Sequence, residues 1–187
     1  MAKKEAGPGE MAASVFGVIT VIFYISILMV SPLVLLFCSP AGYGEIFSYA
    51  YFFALSLVSG FVAWLLMVRK GVLKEHNLLL SLIAGFFISL IMAVNSMIIA
   101  FQNMIRAEME AVAVPQYMQA MMISIPKVGD PVLLFFVAYL SFSVFFFFGY
   151  IRGKEWKKLL YYVIPVATFL VAYLVLQGML RGMISVM

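Results

Sequence analysis

Residues 77–106, NLLLSLIAGFFISLIMAVNSMIIAFQNMIR, decide how this chain is read. The stretch is apolar, long enough to cross a bilayer, and carries carboxamides. Ser81, Gly85, Ser89 and Ala93 recur every four residues and form one slowly drifting stripe on a helix. Small side chains at that spacing let a second helix backbone approach closely in lipid. Asn95, Gln102 and Arg106 fall roughly 100–140° away from Ser89, at about 100° per residue, and make a second face. That face is costly against hydrocarbon, so it is expected to point at protein or water.

The rest of the chain has the same character. Of 187 residues, 66% are hydrophobic and only 11% charged, and mean hydropathy is +1.13. Soluble domains carry about 25% charged residues, so a water-soluble fold is excluded. The stretches left between apolar runs are too short for a separate soluble domain. One cysteine and one histidine exclude a disulfide scaffold and a Cys/His metal cluster. The net charge of +4 comes from basic residues placed as membrane topology places them, so it carries no nucleic-acid signal.

Outward from the central stretch, the pattern predicts an all-α, polytopic membrane bundle. Residues 1–12 are a polar tail, expected to be cytoplasmic, and residues 13–187 form a single transmembrane domain. Five spans are expected at about 13–38, 46–68, 77–105, 131–151 and 159–182. Pro32 is expected to kink the first span and Pro165 to break the fifth. In the second, Ser56/Gly60 and Ser59/Ala63 offer further small-residue faces. The third loop is the long one. Within it Tyr117, Met118, Met121, Met122 and Ile125 recur at helical spacing between Pro115 and Pro126, which predicts a short interfacial helix. No internal repeat stands out, and the odd span count speaks against a simple inverted duplication.

Orientation follows from charge. With five spans, Lys3, Lys4, Arg69, Lys70, Lys74, Arg152, Lys154, Lys157 and Lys158 share one side, nine of the twelve basic residues. Arg106, Lys127 and Arg181 lie on the other. The split predicts a cell-membrane protein with its N-terminus in the cytoplasm and its C-terminus outside.

The candidate functional residues are few. Asn95, Gln102, Asn103, Arg106, Gln177 and Arg181 are the polar-face candidates, able to line a hydrated site or to hydrogen-bond between helices. Asn95 lies roughly 27 Å along its helix from Asn77, in the outer half of the bilayer. The inner half offers hydroxyls such as Thr20, Ser56, Ser59, Ser143 and Thr168, and no carboxylate. Arg106 and Glu110 are spaced to pair along one helix, and Arg181 can reach Glu108 or Glu110 if those helices are neighbours. Helix packing is assigned to Ser81, Gly85, Ser89, Ala93, Gly178 and Gly182.

Methionine is the compositional oddity. Met179, Met183 and Met187 form an i, i+4, i+8 stripe, and Met118 and Met122 share that spacing. Thioethers select Cu(I), so Met118, Met122, Met179 and Met183 are candidate copper ligands, although methionine also fills apolar contacts. Met179 and Met183 interleave with Gly178 and Gly182, which is similar to the MxxxM and GxxxG motifs of the CTR copper transporters. That family has three spans with the two motifs separated, and the departure argues against membership.

No phosphate-binding Gly-rich loop, HExxH, serine-nucleophile motif or intramembrane aspartate pair occurs. No cofactor and no catalytic residue is expected. The expected function is a non-catalytic integral membrane subunit or scaffold, whose partners are the bilayer and other membrane helices or further copies of the chain. A small oligomeric transporter or channel for a solute or ion is the alternative.

Overall fold

The computed structural model describes residues 7–38, 43–65, 77–111 and 128–184. Every regular element among them is helical, and none is a strand. The elements are α1 (Pro8–Cys38), α2 (Gly44–Ala63), α3 (Asn77–Ala111), α4 (Pro131–Arg152), α5 (Trp156–Leu159), a 3-10 turn (Leu160–Tyr162) and α6 (Val163–Ile184). The interfacial helix expected at 115–126 lies outside the described residues.

Four helical stretches are long and apolar enough to cross a membrane: Gly44–Ala63, Ser81–Ile105, Pro131–Arg152 and Trp156–Met179. The protein is membrane-embedded on that evidence. Large apolar side chains cover its outside, including Phe23, Val30, Phe53, Phe101, Leu140, Leu170 and Leu174. A surface of that kind needs lipid or protein against it rather than water. The first helix, α1, is 31 residues long, and its described apolar part is Ile22–Leu35.

Local sequence explains the helix ends. Pro8 opens α1 at a position where its missing N–H is not needed, ahead of the apolar run that begins at Ala13. Pro32 does not end that helix, which runs on to Cys38 with Ser31 and Pro32 buried. Asp130 caps α4: Oδ1 accepts from the Val132 and Leu133 N–H groups at 2.9 and 3.0 Å, and Pro131 follows. At the far end of α4, Lys154 takes the left-handed conformation at φ 58°. Its N–H donates to the Ile151 carbonyl at 3.1 Å, and the Glu155 N–H donates to that of Tyr150 at 3.0 Å. That pair of bonds is a Schellman ending, and it turns the chain at once into α5. Pro165 does not break the last span. It sits in the first turn of α6, where proline is tolerated, and the helical path from Trp156 tightens to a 3-10 turn just before it.

The helices interlock. On α2, Gly44, Ser48, Phe52, Ser56 and Gly60 are buried at four-residue spacing, and this row faces α4. Approach is closest at Gly60, where a Cβ would collide with the backbone of Phe142. At the other end the Gly129 N–H donates to Ser48 Oγ at 3.0 Å, and the Asp130 N–H donates to Tyr49 Oη at 2.9 Å. These contacts run in the same order along both helices, so α2 and α4 are parallel. Ser81 meets Tyr162 and Gly85 meets Pro165, so α3 and α6 are parallel too. Gly85 also meets Tyr139, and α3 runs antiparallel to α4. Helix α4 therefore lies between α2 and α3, and α3 lies between α4 and α6.

Three of these contacts, Ser48–Gly129, Tyr49–Asp130 and Ser81–Tyr162, each join residues 81 apart in sequence. The pairs α2–α3 and α4–α6 are thus organised alike and offset in register. Lys-Glu precedes the second helix of each pair, at 74–75 and at 154–155. Helix α1 packs on α2 and α3, and its Tyr24 ring stacks on Phe142 of α4 at 5.4 Å.

Candidate functional site

The region with the most polar chemistry inside the bundle is the junction of α3, α4 and α6. Ser81, Gly85, Ser89 and Ala93 are all buried there. A Cβ on Gly85 would fall 2.7 Å from the Tyr139 ring and 2.8 Å from the Pro165 ring, so a side chain at this position forces the helices apart. Ser81 Oγ is 2.7 Å from Tyr162 Oη, buried, and 2.9 Å from its own helix's Leu78 carbonyl. Pro165 removes the usual donor to the Tyr161 carbonyl, and the adjoining Tyr162 carbonyl takes a side-chain donor instead, Tyr139 Oη at 2.6 Å. Around this polar seam the rings of Phe147 and Tyr150 meet Tyr162 edge-on at 4.7 and 6.1 Å. Beside it opens a groove of about 360 Å³, lined among others by Tyr139, Phe147, Ile151, Leu159, Tyr162 and Val166.

Tyrosines carry much of the interior polarity, and the sequence pattern did not single them out. Tyr24, Tyr139 and Tyr162 are buried. Tyr24 Oη donates to Ser56 Oγ at 3.3 Å across α1 and α2, and Ser31 Oγ lies 3.4 Å from Tyr51 Oη. The available signal for Tyr24 and Tyr139 is their position deep inside apolar runs, away from the membrane boundary where tyrosine is usually found; Tyr162, close to the basic turn, offers no such signal.

Among the polar-face candidates, Asn95 is fully buried. Among the described residues its Nδ2 reaches only the Met92 sulfur, at 3.9 Å, and its Oδ1 has no hydrogen-bond partner. Ser143 Oγ is the other buried polar atom without a partner among the described residues. The two do not share a site. With Gly85 level with Tyr139, Ser143 is level with Ser81, and Asn95 lies roughly 21 Å farther along the bundle, level with Gly129. Between those levels Ser89 Oγ is bonded to its own helix, at the Phe86 carbonyl.

The remaining candidates are scattered. Gln102 is half-buried and Asn103 exposed. Gln177 Nε2 donates to Tyr173 Oη at 2.7 Å, one turn back on α6. The side chains of Arg106, Glu108, Glu110, Arg181 and Met183 lie outside the described residues, as do residues 118 and 122, so the expected ion pairs and copper set fall there as well. Met179 is exposed on α6. A Cβ on Gly178 would meet nothing within 4 Å, so among the described residues Gly178 does not mark a close helix approach, and Gly182 is exposed.

Comparison with protein-family models, with curated proteins and with solved structures finds no match.

Proposed function

We propose that this chain is a non-catalytic integral membrane subunit or scaffold, built to hold its own helices firmly and to pack its outer face against partner membrane helices. One observation carries the reading. The buried tyrosines and several buried serines bridge one element to another, as in Ser81–Tyr162, Tyr24–Ser56 and Tyr139 with the Tyr162 carbonyl. Side chains committed in that way stabilise a bundle and are not arranged around a substrate. The same bundle offers surface to a partner. In the most apolar 18 residues of the Trp156–Met179 stretch only 17% are buried, against 50% in those of Ser81–Ile105. In this reading α1 completes a five-span bundle, residues 115–126 lie along the interface, and the nine-to-three division of basic residues puts the N-terminus in the cytoplasm of a cell-membrane protein. Gentle extraction followed by identification of stoichiometric co-purifying chains tests it. Recovery of the chain without a partner and without self-association would overturn it.

A small oligomeric transporter or channel is the second reading, favoured by the unpartnered Asn95 Oδ1 and Ser143 Oγ. Either atom suits a water or a passing solute, because a buried unsatisfied oxygen costs about 1–3 kcal/mol. Solute flux into proteoliposomes containing the purified chain, abolished by Asn95→Leu, would favour it.

A further inference from the structure

The groove between α4 and α6 has a floor and walls of one chemistry and a rim of another. Its lining is almost entirely carbon, from Phe147, Ile151, Leu159, Val163 and Val166, and the nearby tyrosine hydroxyl of Tyr139 is already engaged with the Tyr162 carbonyl. At about 360 Å³ it lies within the size range of small-molecule sites, roughly 300–1,000 Å³. Ile151 and Val163 of its lining are exposed, so it opens on the outer surface of the bundle. The chain that closes it at one end is the turn 152–158, Arg-Gly-Lys-Glu-Trp-Lys-Lys.

Arg152 directly follows the lining residue Ile151, and Lys157 stands two residues before the lining residue Leu159. Both are exposed. Lys158 is occupied: its Nζ is 2.9 Å from Glu155 Oε2 and 5.7 Å from the centre of the Tyr150 ring. That ion pair answers the one acid in the turn and leaves Arg152, Lys154 and Lys157 with no described acidic partner, of which Arg152 and Lys157 stand nearest in sequence to the lining residues. Trp156, between them and exposed, has the amphipathic ring that settles at headgroup level. The Schellman ending at Lys154 fixes this turn on the end of α4, so the basic rim is held against the groove rather than trailing from it.

An apolar slot on the outer surface of the bundle, with uncompensated cations at one end and two of them, Arg152 and Lys157, flanking its lining residues, is complementary to one membrane component. We infer that the groove seats an acyl chain of an anionic phospholipid, with the headgroup phosphate between Arg152 and Lys157. A neutral lipid satisfies the slot but not the rim, and free phosphate satisfies the rim but not the slot. A partner helix in the slot would leave the two cations over the membrane surface without a counter-charge.

The test uses the full chain reconstituted with phosphatidylglycerol or phosphatidylcholine, both carrying brominated acyl chains. Replacing Trp64→Phe leaves Trp156 as the reporter, since the chain has two tryptophans. Brominated phosphatidylglycerol should quench Trp156 at a lower mole fraction than phosphatidylcholine. In Arg152→Gln and Lys157→Gln the preference should fall roughly fivefold per charge removed. The pair Lys3→Gln and Lys4→Gln, with the same loss of charge in the N-terminal tail, should retain it. Val166→Phe, which fills the slot and keeps the cations, should weaken binding of phosphatidylglycerol. Native mass spectrometry of the unaltered chain, counting retained phosphatidylglycerol against phosphatidylcholine, repeats the comparison without any tryptophan replacement. Equal quenching by both lipids, an equal loss in the tail variants, or full binding in Val166→Phe would each overturn the assignment.

Discussion

Ser81 and Tyr162 lie 2.7 Å apart, oxygen to oxygen, and join α3 to α6 across the most polar seam of the bundle. Both are buried, so neither hydroxyl has water as an alternative. Interhelical hydrogen bonds in membranes average about 0.6 kcal/mol and reach about 1.7. Tyr162→Phe is expected to cost within that range, because Ser81 keeps its bond to Leu78, and Ser81→Ala somewhat more, because both of its bonds go and the buried Tyr162 hydroxyl loses that partner. Thermal unfolding of the two single variants and the double variant in one detergent checks this. The double variant should be less destabilised than the sum, because one shared bond is lost once.

Gly85→Leu should be far more damaging. Its Cβ alone meets Tyr139 and Pro165 at 2.7 and 2.8 Å. Overpacking of a close helix contact costs about 1–3 kcal/mol, and here both neighbouring rings are themselves buried. Leu90→Ile, on the exposed face of the same helix, should leave the melting temperature unchanged. Equal effects at the two positions would mean that the buried row of α3 does not hold the bundle together.

Asn95→Leu separates the two functional readings. Leucine removes an amide whose Oδ1 is buried and unpartnered. Replacing such a group with an apolar one of similar shape is neutral or stabilising. A packing role therefore predicts a melting temperature equal to or above that of the unaltered chain, with assembly intact. A solute site predicts the same stability with flux abolished.

Lys154→Gly should stabilise the end of α4. Lysine there holds φ at 58°, where glycine carries no Cβ penalty. Relief of about 1–2 kcal/mol of left-handed strain is partly offset by about 0.4–1 kcal/mol of added unfolded-chain entropy, so a net gain is expected, read as a higher melting temperature. No gain would mean that contacts of the lysine side chain outweigh the backbone effect.

Much of the architecture is legible in the sequence, and what is not has a physical reason. Apolar length alone places the membrane-crossing stretches within a few residues, because hydrocarbon thickness fixes their size. Asp130-Pro131 marks a helix start through capping chemistry, which is local. Neighbours are not local. Ile88 lies off the small-residue row, yet it is fully buried, because α3 is covered by α4 on one side, α6 on another and α1 on a third. The lipid face of α3 is instead a single row, Leu79, Ile83, Phe86, Leu90, Val94, Met97 and Phe101. Gly178 and Gly182 have the spacing of a packing motif, yet at Gly178 no described residue comes close, since glycine spacing states what can approach and not what does. The tyrosines were hidden by their double nature. Tyr162, four residues after Lys158, has a boundary position and Tyr24 a mid-span one, and only the partner hydroxyls of Ser81 and Ser56, 81 and 32 residues away, show why both are tolerated inside.

Gly178 also points to the most direct test of a scaffold role. The position is exposed and open, so Gly178→Leu should leave the fold of the single chain intact. The decisive measurement is the native mass of the complex extracted gently from membranes, for the unaltered chain and for Gly178→Leu. A subunit that packs its outer face against other helices predicts a mass well above the 20.9 kDa of one chain, reduced in the variant at unchanged melting temperature. A single chain at 20.9 kDa, with the variant indistinguishable from it, would contradict a scaffold role.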